Sequence, residues 1–139
     1  MTMTPPTVLL DRSFLDALVD PGHPDRPAAA AAYTELLDCY RRNELRLRAR
    51  VDHLAAAHPN GNDGRDPLFA PVETIHVASQ HRRAAERLRL PVAVDPDAAI
   101  TLVLLRREHI TAIATFDPAM AGFDLTVLPG TPAGHCSPA

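Results

Sequence analysis

Ile110-Thr111-Ala112-Ile113-Ala114-Thr115-Phe116-Asp117 decides the fold. A β-prone apolar run empties into the turn Asp117-Pro118, and a second run near the start, Val8-Leu9-Leu10-Asp11, ends on an acid in the same way. Both are too short for helices and fit strands buried on both faces of a parallel sheet. In open α/β sheets ligands bind in the crevice outside the carboxyl ends of the strands. The two runs therefore direct Asp11 and Asp117 toward one site.

Outward from these runs, helices alternate with strands. Residues 97–107 are apolar through Ile100, Leu102, Val103, Leu104 and Leu105, which predicts a heavily buried helix. Residues 76–90 predict another, with Val77, Ala84, Ala85 and Leu88 inward and His81, Arg82, Arg83 and Arg87 outward. Residues 125–128 read as a last strand. After Asp11, Phe14, Leu15 and Leu18 share a helical face until Asp20-Pro21-Gly22 stops it, and Asp25-Arg26-Pro27 opens a long helix through Tyr33, Leu36, Leu37 and Tyr40. Leu45, Leu47 and Ala49 then alternate with Arg46, Arg48 and Arg50, predicting a half-buried strand with a basic outer face, followed by a short helix through Val51, Leu54 and Ala55. Residues 58–67 read as a loop and 68–72 as an edge strand, because Pro71 lacks a ladder donor. The order predicts a three-layer α/β domain over residues 8–129, with a mainly parallel sheet of about five strands flanked by helices. Residues 1–7 read as a frayed start and 130–139 as a flexible tail with little to bury.

Length and composition narrow the function classes. At 139 residues one domain is expected, and 46% hydrophobic with 22% charged residues is ordinary globular usage. No apolar run approaches the roughly 18 residues of a spanning helix, and the first residues lack signal-peptide character, so a cytoplasmic protein is expected. Cys39 and Cys136 are read as plain thiols, and the seven histidines form no metal-binding pair with one another. The net charge of −3 is not that of a strongly nucleic-acid-binding domain, although acids gathered around a divalent ion would hide such a role.

Asp97 is the third acid of interest, lying in the first turn of the most apolar helix immediately before the Ile110 run. Each acid has an ordinary role available: Asp97 favours the helix dipole, Asp95 can cap the helix, and Asp117 before Pro118 starts a turn. Brought together they would repel one another unless a cation lay between them, and all-oxygen sites suit Mg²⁺ or Mn²⁺.

The opening Val-Leu-Leu-Asp11-Arg-Ser13-Phe-Leu, the helix start Asp97-Ala-Ala-Ile and the segment Ile-Ala-Thr115-Phe-Asp117-Pro, followed by Phe123-Asp-Leu-Thr-Val-Leu-Pro129, resemble the PIN-domain family. Within it the similarity is to the ribonuclease toxins of bacterial VapBC toxin–antitoxin pairs. The resemblance implies a PIN-like parallel sheet whose acidic cluster binds Mg²⁺ or Mn²⁺ and hydrolyses RNA. It places Asp11, Asp97 and Asp117 on the family's catalytic and metal-binding acids, with Ser13 and Thr115 on its supporting hydroxyls. It further implies a small VapB-like antitoxin that inserts an arginine toward the carboxylates, and a homodimer.

One position departs from the family. Its glutamate in the helix after the second strand is absent from Arg50-Val51-Asp52-His53-Leu54, and Asp52, one methylene shorter, is the substitute expected as a fourth metal ligand. Arginines would supply the grip on RNA phosphates, the candidates being Arg46, Arg48 and Arg50 and, separately, His81, Arg82 and Arg83. Receiver domains and haloacid-dehalogenase-type phosphatases need a lysine near their acids, and all 14 basic residues here are arginine. Nucleotide-binding folds need a glycine-rich turn where this chain has Asp11-Arg12-Ser13-Phe14. The competing expectation is a catalytically inactive PIN-like binding or regulatory module, motivated by the missing glutamate.

Overall fold

Val8, Leu9 and Leu10 are at most 1% exposed, and their alternate side chains enter two different cores. They lie in the central strand β1 (Thr7–Leu10) of a computed structural model that describes residues 5–57, 67–88 and 95–129. From β1 the chain runs through α1 (Arg12–Val19), α2 (Arg26–Arg41), β2 (Arg46–Arg50), α3 (Val51–Ala57), β3 (Val72–Ile75), α4 (Ser79–Arg87), α5 (Pro96–Arg107), β4 (Ala112–Ala114) and β5 (Thr126–Leu128). All strand pairs are parallel, in the order β3-β2-β1-β4-β5. The chain winds outward from β1 to β3, then returns across the sheet to β4. The switch in direction falls between β1 and β4, the place where such sheets open a ligand crevice.

Three layers follow from the side-chain alternation. Val8, Leu10, Leu47, Ala49, Ala112 and Ala114 join Phe14, Tyr33, Leu36 and Leu54 in a core under α1, α2 and α3. Leu9, Ile75 and Ile113 join Ile100, Val103 and Leu104 in a second core under α4 and α5. Two similar caps turn helices into strands. Asn43 and His109 adopt left-handed backbone (φ 60° and 55°), and the next N–H in each case reaches back to the helix, Glu44 to the Cys39 carbonyl at 2.9 Å and Ile110 to that of Leu105 at 2.8 Å.

The mid-chain differs from its expected form. Instead of a strand over residues 68–72 there is a 3₁₀ turn at Pro67–Phe69, and β3 begins only at Val72. The Tyr33 hydroxyl donates to the Leu68 carbonyl and Phe69 is buried against the Tyr33 ring, so that segment is spent on α2, and Pro71 cannot donate to a ladder. The next helix starts at Ser79, not at residue 76. His81 folds back so that its Nδ1 accepts from the Ala78 N–H at 2.9 Å, which sets the helix start. Thr7, expected in a frayed start, belongs to β1. Cys39 is disulfide-bonded and not the plain thiol expected. Cys136, the expected tail and most of the expected loop lie outside the described residues. No described helix is long and apolar enough to cross a membrane.

Phe14 joins the helical layer to the segment that carries Asp117, meeting Tyr33 edge-on at 6.5 Å and stacking on Phe116 at 5.9 Å. Phe14→Ala should destabilise the fold by about 3–5 kcal/mol, read from urea unfolding followed by circular dichroism.

Candidate functional site

Asp11 leaves β1 still held by the sheet, its N–H donating to the Ala114 carbonyl at 2.9 Å. Its carboxylate is 7% exposed and accepts from the Thr115 hydroxyl at 2.7 Å. A hydroxyl has one proton to give and two lone pairs, which fixes the rest of the network. Thr115 gives its proton to Asp11, so it accepts from the Asp117 N–H at 3.0 Å and from Ser13, whose Oγ lies 2.9 Å away. Ser13 in turn accepts from the Phe116 N–H at 2.9 Å. Two hydroxyls thus lock the ends of β1 and β4 together. Asp117 itself caps the following turn, its Oδ1 accepting from the Ala119 N–H at 3.0 Å.

Asp97 arrives from the other side, in the first turn of α5, where Asp95 is the N-cap and accepts from the Ala98 N–H at 2.8 Å. Its surroundings were not expected from sequence. Arg50 is not part of an exposed basic face: it is 1% exposed, because the start of α5 covers the end of β2. Its Nε and Nη2 grip the two oxygens of Asp52 at 3.1 and 2.6 Å, and Nη2 also lies 2.9 Å from Asp97 Oδ1. Nη1 donates to the Asp97 carbonyl at 3.1 Å and to Thr101 Oγ1 at 3.0 Å. Every N–H of the guanidinium has an acceptor, which a buried charge requires. The second oxygen of Asp97 lies 3.0 Å from Nε2 of His53, itself buried.

The carboxylates respond differently. Burial pushes the Asp11 carboxyl above its usual range; the Thr115 hydrogen bond opposes this, while the charge of Asp117 adds to it. Partial burial also works against the charge on Asp52, but the hydrogen bonds and charge of Arg50 outweigh it and hold that carboxyl below the usual range.

A cleft of about 370 Å³ opens over the switch point, lined by Asp11, Ser13, Asp97 and Asp117 together with Arg12, Asp16 and Asp95. The three acids expected at the site face this one space. Asp16 and Asp95 join the lining beyond what the sequence predicts, Asp95 in addition to its role as the cap of α5. Asp52 does not line the cleft; it faces Arg50. The other proposed RNA contacts divide. Arg46 pairs with Glu73 at 2.6 Å and Arg48 with Glu108 at 2.7 Å, whereas Arg82 and Arg83 are exposed on α4.

This donor set can be tested against a hard divalent ion. Asp11 is buried beside Asp117, whose charge raises its pKa, and a cation between them would relieve that repulsion; the carboxylate and hydroxyl oxygens there suit Mg²⁺ or Mn²⁺. The residues at this side of the cleft fit such an ion. At the other corner, ligand atoms of Asp52, His53 and Asp97 lie within 4.8 Å of one another, but Arg50 already bridges the two carboxylates.

An all-parallel five-stranded sheet between two helical layers is a three-layer α/β fold of PIN-like architecture. The structure is similar to the crystal structure of Mycobacterium tuberculosis VapC20, a sarcin–ricin loop cleaving toxin, with a TM-score of 0.59 and 16% sequence identity over 84% of this chain and 95% of that one. At that identity the likeness is one of fold. No protein-family model and no curated protein matches the sequence.

The raised Asp11 carboxyl makes a prediction with a definite sign. An acid whose folded pKa is raised binds more protons in the native than in the unfolded state, so it weakens the fold as pH rises past the ordinary carboxyl range. In EDTA, Asp11→Asn should therefore raise the Tm at pH 7. The gain should vanish on acidification below the ordinary carboxyl range, where Asp11 is protonated in both states; scanning calorimetry across pH measures it.

Proposed function

We propose that the protein is a divalent-metal-dependent endoribonuclease, the toxin of a type II toxin–antitoxin pair. The observation that carries this reading is the convergence of Asp11, Asp97 and Asp117 on one cleft at the switch point. The fold likeness to an RNA-cleaving toxin supports the class of substrate. A bound Mg²⁺ or Mn²⁺ would supply an activated water and offset charge on the scissile phosphate.

The chain's own groups do the positioning. Thr115 fixes one oxygen of Asp11 and, through the Asp117 N–H, the backbone that presents the other acid; Ser13 holds Thr115 in that orientation. Arg12 is the one cation among the described residues that line the cleft, its side chain 59% exposed and only loosely tied to Asp16 at 3.8 Å, so it is placed to meet a phosphodiester entering the cleft. Arg82 and Arg83 extend the basic surface available to RNA. Arg46 and Arg48 contribute less, because each already has a carboxylate partner. In this reading the protein works in the cytoplasm as a homodimer, restrained by a VapB-like antitoxin.

A second reading, an inactive PIN-like binding module, draws support from Asp97, both of whose carboxylate oxygens already have a partner in Arg50 or His53. One assay separates the two: incubation of wild type and Asp11→Asn with an RNA panel containing structured stem-loops, a sarcin–ricin hairpin among them, in Mn²⁺, Mg²⁺ or EDTA. The nuclease reading expects discrete products from wild type in either metal, none in EDTA and none from Asp11→Asn. Identical patterns from wild type and variant would leave the binding module.

Arg12→Ala is expected to raise KM for RNA with a smaller effect on kcat, measured by steady-state cleavage over a substrate series. A cation that holds the phosphate equally in the ground and transition states has that signature.

A further inference from the structure

We infer that Arg50 is a built-in cation standing where a second divalent ion would otherwise bind, so that the cleft takes one ion and not two. The inference deepens the metal-dependent reading above and rests on it for the first ion only. Nη2 of Arg50 lies 2.6 Å from Asp52 Oδ2 and 2.9 Å from Asp97 Oδ1, bridging two carboxylates as a metal ion would. Asp52, His53 and Asp97 offer ligand atoms within 4.8 Å of one another, a spacing that suits a single ion.

Three properties make the arginine a lasting occupant. A guanidinium does not lose its proton in proteins, so no ordinary pH vacates the position. Its remaining N–H groups are committed to Asp52 Oδ1, the Asp97 carbonyl and Thr101, so the side chain cannot swing out without abandoning them all. It is 1% exposed, and a divalent ion brought within about 4 Å of a charge so poorly screened is repelled. On the opposite side the Asp11 carboxylate accepts from the Thr115 hydroxyl and the Arg12 backbone N–H and feels His53 electrostatically, but among the described residues no guanidinium bridges Asp11 to Asp117 as Arg50 bridges Asp52 to Asp97, and their oxygens face the cleft.

The test is the number of Mn²⁺ ions bound per chain, by isothermal titration calorimetry, with electron paramagnetic resonance to tell isolated ions from exchange-coupled pairs. Wild type is expected to bind one isolated ion. Arg50→Gln and Arg50→Met, each checked for folding by circular dichroism, should gain one further ion, and Arg50→Gln with Asp52→Asn should lose it again. Asp52→Asn alone should leave the count at one with affinity changed less than about tenfold, at the small end of what partners of metal ligands cost. A coupled pair in wild type would overturn the inference while leaving the nuclease reading intact. So would folded Arg50 variants that gain no ion, or an Asp52→Asn chain whose count falls from one to none. Wild type binding no ion while Arg50→Gln binds one would uphold the role of Arg50 and remove the metal-dependent reading.

Discussion

The pairing of β1 with β4 is the constraint on which the rest depends. The two strands lie about a hundred residues apart in the chain, and their junction is sealed past the last strand residues by the Asp11 N–H and the Thr115 hydroxyl. That junction decides which way the sheet grows: β2 and β3 can add only on one side, β5 only on the other. It also decides where the carboxylates go. Asp11 and Asp117 are carried to the same edge because each follows a strand held in register by the other, with Leu10 opposite Ala114.

The parts legible in the sequence are those whose signal is local. Val8 to Leu10 and the Ile110 run announce buried strands because both faces are apolar, and a parallel sheet is the structure that buries both. Asp11, Asp97 and Asp117 stand at ends of elements, and the placement of the ends fixes the placement of the acids. Arg50 was not legible. Its sequence pattern is the same as that of Arg46 and Arg48, and only the covering of the end of β2 by α5 separates one buried arginine from two that pair with acids outside the core. His53 gives no signal in the sequence, because no second histidine stands at metal-binding spacing from it and its partner is a carboxylate on another helix. Pro71 is incompatible with an inner strand, as its missing donor implies, but its effect is to delay β3 to Val72 and not to place an edge strand at residues 68–72.

The mid-chain position where the sequence resemblance leads one to expect a further metal-binding acid therefore differs by more than one missing glutamate. Where an additional acid is expected, this chain places an acid, a buried histidine and a buried arginine, and the extra acid faces the arginine and not the cleft. The change is one of charge balance: a corner that would be purely anionic is brought nearer neutrality by a group belonging to the fold.

Arg50 also acts as a clamp. Its five contacts tie the end of β2 to the first turns of α5 through a backbone carbonyl and a threonine as well as through carboxylates. Proteins that gather like charges around a metal commonly loosen when a chelator removes it, because nothing else opposes the repulsion. Here the fastening across that corner belongs to the chain itself, so the join between sheet and helix does not depend on an ion.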